Sequence, residues 1–89
     1  MQTIILPDHC ERGAVAAIHP QIAAAIDADD VTIDASALTH GGQALLQLLL
    51  SAQRTAQARG KAFAVRGSDV LAEIVNIAGL AAELRVDAA

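Results

Sequence analysis

The segment Asp8-His9-Cys10-Glu11 sets four side chains that can bind a metal, or act as nucleophile and base, in a row. A metal would need them to converge, and neighbours in an extended segment point apart. No Cys-x-x-Cys or His-x-x-x-His spacing completes a ligand set, and His19 and His40 would have to converge from elsewhere. A Cys10–His9 nucleophile pair meets the same objection, and no oxyanion-hole signature accompanies it. Ser36, His40 and Asp34 have the residue types of a hydrolytic triad, but one short loop lacks the spatial separation a triad needs. Asp34 at a strand end more naturally accepts backbone hydrogen bonds and anchors the loop. Gly41-Gly42 is too short to cradle a nucleotide, and no Gly-x-Gly-x-x-Gly or Walker-type run occurs. These patterns predict no catalytic residue, no metal site and no cofactor.

What remains is Thr39-His40-Gly41-Gly42-Gln43, ahead of the longest helical pattern. A helix N-terminus offers unpaired N–H groups and a partial positive charge, and the two glycines withdraw side-chain cover from it. A partner's carboxylate or phosphate would find close approach there, although a plain tight turn uses the same glycines. Ser36 and Thr39 are the hydroxyls available for phosphorylation in this stretch. Both also suit capping or turn roles, which come first for such residues.

The elements that must position this corner alternate between short β runs and longer helical ones. Thr3-Ile4-Ile5-Leu6, ended by Pro7, predicts a first strand. Ile18, Ile22, Ala25 and Ile26 recur at helical spacing over residues 16–28. Pro20 suits only a first turn, so that helix is expected to begin near Ile18 or His19. Val31-Thr32-Ile33-Asp34 predicts a compact second strand with Val31 and Ile33 on one face. After a loop over residues 36–42, a long helix should run from about Gly42 to Arg59, with Gly60 ending it.

Leu45, Leu46, Leu49, Ala52 and Ala56 form that helix's apolar stripe, opposite Gln43, Gln47, Ser51, Arg54 and Ala58. Leu48 and Leu50 add apolar surface beyond one buried face, so an exposed docking strip is expected. Leu50, beside Gln43, Gln47 and Arg54, is its candidate interface residue. Residues 61–66 predict a third strand, and Ser68 an N-cap for a helix from Asp69 to about Ala78, closed by Gly79. Residues 80–86 should add a helical turn or an edge strand. The order implies right-handed crossovers and one α/β domain over residues 1–89. Its expected form is a single-layer parallel or mixed sheet of roughly three to five strands with helices packed on it.

Composition narrows the function classes. With 89 residues, 6 Lys+Arg against 10 Asp+Glu and a net charge of −4, the chain has room for one core and no clustered positive charge for nucleic acid. Phe63 is the only aromatic ring among Phe, Tyr and Trp, which excludes base stacking and aromatic cages in their usual forms. One cysteine forms no internal disulfide. The absence of a long apolar span or a basic leader predicts a cytoplasmic protein with no membrane insertion. The acidic surface favours a basic patch on any partner.

Residues 31–46 resemble the signature of the STAS domain family, which includes bacterial anti-sigma-factor antagonists. In that family a buried strand ends in Asp-x-Ser, and an Asp-Ser-Ser-Gly-Leu-type turn then opens a long helix. Asp34-Ala35-Ser36 matches the first element and Gly42 the turn glycine; Gly60-Lys61 and Ile77-Ala78-Gly79-Leu80 match later landmarks. The departures are Thr39 where relatives often carry Asp, His40 where they often carry Ser or Thr, and Gly41 at the position of the phosphorylated serine. Gly41 accepts no phosphoryl group. The stretch is most similar to stand-alone STAS proteins encoded beside chemotaxis kinases.

The resemblance implies a non-catalytic interaction module docking on a histidine-kinase-like ATPase, such as an anti-sigma kinase, through residues 39–43 and the exposed side of the next helix. The alternative it implies is a structural subunit similar to the STAS component of bacterial lipid-transport ABC complexes, clamping an ABC ATPase. A homodimer is compatible with either.

Overall fold

The computed structural model describes residues 2–80, 83, 84 and 86–88. The chain runs β1 (Gln2–Ile5), β2 (His9–Cys10), α1 (Arg12–Ala28), β3 (Val31–Ala35), β4 (His40–Gly41), α2 (Gln43–Ala58), β5 (Phe63–Gly67), α3 (Asp69–Ile77) and β6 (Val86–Ala88). Four strands form one sheet in the order β1-β3-β5-β6, every pair parallel. Because that order advances in one direction, right-handed crossovers put α1, α2 and α3 on the same face.

Burial follows the register. Ile4, Ile33 and Val65 stand opposite one another beneath the helices, and Ile33 and Val65 are fully buried. On the other face, one cross-strand row joins Ile5, Asp34, Arg66 and Asp87, and Ile5 is 71% exposed. The small α/β fold expected from the sequence is thus present, with a fully parallel main sheet.

Two parts differ from the sequence reading. α1 begins at Arg12, well before Ile18, and holds Pro20 in its interior. Proline supplies no N–H for the Ala16 carbonyl, one turn back. Ala16 and Pro20 are both exposed, so the lost bond falls on the water side, where solvent satisfies the carbonyl. Ala14 and Val15 pack against the core and hold the extra turns down.

The second difference is in the loop over residues 36–42. It contains β4, which pairs in parallel with β2 to make a separate two-stranded sheet. Strands of two residues leave no periodicity to read, and this pairing joins segments 31 positions apart (His9 with His40).

α2 spans Gln43–Ala58 with its predicted stripe of Leu45, Leu46, Leu49, Ala52 and Ala56 buried. Gly60 follows it at φ +69°, the left-handed conformation that ends a helix. Leu48 is also buried, against α1, and Leu50 is half-buried on the core. On that flank the Gln53 side-chain amide donates to the Glu83 carbonyl. The apolar surplus of α2 therefore goes inward, because the helix is flanked on two sides. The tail predicted as a turn or edge strand includes β6 on the β5 edge; Ala81, Ala82 and Arg85 lie outside the described residues.

Candidate functional site

The corner between β3 and α2 is fixed by three polar anchors, one within it and two reaching other parts of the chain. At its start, the Asp34 carboxylate accepts from the Ser36 hydroxyl (2.6 Å) and from the Ser36 backbone N–H (3.0 Å). Those two bonds, with help from Arg66, hold the Asp34 carboxyl below the ordinary aspartate range. Leu38 is then buried, and its carbonyl accepts from the Ser68 hydroxyl at 2.9 Å. The same Ser68 oxygen caps α3 by accepting from the Leu71 N–H at 3.4 Å. One serine thus ties the corner to the start of α3.

The third anchor is the Asp8 carbonyl. It accepts from the backbone N–H groups of Thr39 (2.8 Å) and His40 (3.0 Å) and from the Thr39 hydroxyl (3.1 Å). β2 and β4 then pair His9 with His40 and Cys10 with Gly41. Successive strand residues point to opposite sides. Cys10 is accordingly fully buried, and that burial pushes its thiol pKa up. His9 and His40 are exposed, with rings stacked at a centroid separation of 4.2 Å and 15° between planes.

Thr39 and His40 are joined a second time, by a 3.0 Å contact between Thr39 Oγ1 and His40 Nδ1. The Thr39 hydroxyl has a single proton, which goes to the Asp8 carbonyl. With that proton on Asp8, the Nδ1–H tautomer of His40 is the one that satisfies both Thr39 contacts at once.

The two glycines face opposite ways. A Cβ on Gly41 would stand 3.1 Å from Leu45 Cδ2 and 3.5 Å from Leu38 Cδ2, both in the core. A Cβ on Gly42 would meet nothing within 4 Å. Gly42 is the N-cap of α2, in extended conformation, with no capping side chain. Neither glycine has a positive φ, so close approach at Gly41, not turn flexibility, is what favours glycine there.

The sequence-predicted residues fall into place as follows. Thr39, His40 and Gln43 are exposed, Gly41 and Gly42 half-buried. Gln47 and Arg54 continue from Gln43 along the exposed ridge of α2, while Leu50 beside them is half-buried. Ser36 and Thr39 do not cap α2, contrary to expectation: one bonds Asp34 and the other Asp8. Asp34 anchors the loop as predicted. Ser36 is bonded to Asp34, and the Nδ1 of His40 is taken by Thr39, so the three do not assemble as a triad. Among the described residues, no group of three or more His, Cys, Asp or Glu side chains is placed to hold a metal.

His9 is the residue that sequence reasoning missed at this corner. Adjacency to Cys10 made it look divergent, and only the β2–β4 pairing brings it onto His40. His19, the other histidine considered, instead lines a shallow groove between α1 and α2 with Leu48 and Ser51. No helix among the described residues is long and apolar enough to cross a membrane. A protein-family model described as "Mlab, STAS domain" matches residues 4–86 of the chain. No curated protein matches it.

Proposed function

The chain belongs to the STAS domain family, and from that premise we propose that it docks on a partner protein through residues 39–43 and the exposed ridge of α2, without catalysing a reaction. STAS domains are generally non-catalytic interaction modules. The partner in this reading is a histidine-kinase-like ATPase in bacterial signal transduction, of the anti-sigma or chemotaxis type. Thr39, His40, Gly41, Gly42, Gln43, Gln47 and Arg54 make the contact, with the flank of Leu50 at its side.

The observation that carries the reading is the combination of exposure and rigidity at this corner. Thr39, His40 and Gln43 face water, yet the backbone between them is pinned by Asp8 and, through Leu38, by Ser68. A partner therefore meets a surface already in its bound shape, which lowers the ordering cost of association. Phosphorylation of the usual kind has no acceptor at Gly41, whose side-chain direction leads into the core. The hydroxyls of Ser36 and Thr39 are each engaged in the loop's own hydrogen bonds, so modifying either would dismantle the corner.

The test is association with any histidine-kinase-like ATPase found encoded beside this protein, followed by calorimetry or complex size, using Gln43→Lys/Gln47→Lys on the exposed ridge. The double variant should weaken the complex at least about tenfold while circular dichroism is unchanged, as expected when like charge meets a basic patch. Equal affinity would remove α2 from the contact. Recovery of an ABC-transporter ATPase in place of a kinase would favour the structural-subunit alternative.

A further inference from the structure

The stacked pair His9 and His40 has a chemistry of its own, separate from any protein partner. The two imidazoles sit on adjacent parallel strands, in register, on the exposed side of the two-stranded sheet. Their backbones are held together by the β2–β4 pairing and by the Asp8 carbonyl, so the two side chains are neighbours before any ligand arrives. His40 is further fixed as a ligand. In the tautomer that satisfies both Thr39 contacts, Nδ1–H donates to Thr39 Oγ1 and the lone pair is on Nε2. Metal-bound histidines are held in the same manner, one ring nitrogen donating to an oxygen while the other ligates.

We propose that His9 and His40 form a two-imidazole site for a borderline divalent transition ion, Cu2+ binding most tightly and Ni2+ and Zn2+ less so, with Thr39 positioning the His40 ring. Two imidazole nitrogens about 2 Å from one ion lie about 3–4 Å from each other, depending on the angle between the bonds. The rings are stacked at 4.2 Å with 15° between planes, so their in-plane lone pairs run nearly parallel and the exposed rings turn out of the stack to meet at one ion. Both side chains are exposed, and nothing in the core has to move. Imidazole is the ligand type that suits these ions, and their order of affinity follows the general series for nitrogen ligands. Water completes the coordination, since the chain supplies two ligands. Asp8 is committed elsewhere: its carboxylate accepts from the His9 backbone N–H at 3.0 Å.

The experiment uses protein free of any affinity tag, titrated with Cu2+ by calorimetry and examined by electron paramagnetic resonance. One ion per chain with two nitrogen ligands is expected. His9→Gln or His40→Gln should each weaken binding at least about tenfold, and His19→Gln should leave it unchanged. Thr39→Val, which removes no ligand, should weaken binding about tenfold, the usual cost of losing an outer hydrogen-bond partner. In the metal-free protein the same variant should shift the His40 ring-nitrogen resonances away from a fixed Nδ1–H tautomer, a change that general loosening of the fold would not confine to one ring. Wild-type binding no tighter than that of the His9→Gln/His40→Gln double variant would overturn the proposal. So would a single-histidine variant that binds as the wild type does.

Discussion

Gly41 and Gly42 are adjacent in sequence, yet serine should have opposite effects at the two positions. At Gly42 the new Cβ enters open space, and the backbone is already in the extended N-cap conformation. The hydroxyl gains an amide of the first α2 turn that has no intrahelical partner, worth a few tenths of a kcal/mol over glycine. Removing a glycine from the unfolded chain adds about 0.4–1 kcal/mol. The combined gain is about 0.5–1.5 kcal/mol, or about 2–12 °C in Tm for a domain of this size.

At Gly41 the Cβ stands 3.1 Å from Leu45 Cδ2, closer than side chains ordinarily pack, and Leu45 is only 1% exposed with little room to give way. Overpacking of that kind costs about 1–3 kcal/mol. Thermal melts of Gly41→Ser and Gly42→Ser, followed by circular dichroism, decide the matter. Shifts of the same sign, or a Gly42→Ser melt at or below the wild type, would refute the assignment of the two directions. Binding supplies a second readout. If the partner's backbone approaches the uncovered cap, Gly42→Ser weakens the complex even as it raises Tm, whereas a loss of affinity through unfolding would lower both.

Two further outcomes follow from the same geometry. Pro20→Ala restores an N–H to the Ala16 carbonyl on the exposed side of α1 and should stabilise the protein by about 1–2 kcal/mol; a lower Tm would mean that the proline ring makes a contact the helix needs. The carboxyl of Asp34 is held below its unfolded value, so its stabilising effect on the loop is fully present above the ordinary aspartate range and is lost as pH falls through the lowered folded value. The Ser36 amide resonance should therefore titrate below the ordinary aspartate range and lose that step in Asp34→Asn. A midpoint at or above the ordinary aspartate value would contradict the Asp34–Ser36 bonds.

Local pattern was enough to place β3, α2 and α3, because each has its period and its stop within its own residues. The alternation at Val31 and Ile33, the leucine stripe of α2, Gly60 and the Ser68 cap are signals of that kind. α1 was misjudged because the cost of an internal proline depends on which side of the helix the lost bond faces, and that is a tertiary fact. The corner was legible as exposed and glycine-opened, but not as a pinned structure. Its anchors, Asp8 and Ser68, lie about thirty positions away on either side, and no spacing rule predicts such partners. The role of Thr39 was lost for the same reason, since its partner Asp8 lies 31 positions back, whereas Ser36 bonds Asp34 two residues away in a local turn instead of capping α2.

The inward turn of Leu48 and Leu50 changes how the proposed docking would work. Among the described residues, the exposed large hydrophobics are Ile5 on the open sheet face and Ile77 at the end of α3, and neither belongs to the corner or the α2 ridge. A contact through Thr39, His40, Gln43, Gln47 and Arg54 is polar and backbone-rich, so buried apolar area contributes little to its affinity. Its strength has to come from donors and acceptors already in place, and its specificity from a partner that matches their positions. The net charge of −4 then adds steering toward a basic partner surface, a contribution that acts on the association rate and fades with salt. For such an interface, loosening the anchors is as damaging as removing a contact. On the proposed docking, Ser68 would then matter to recognition without touching the partner, through its bond to the Leu38 carbonyl.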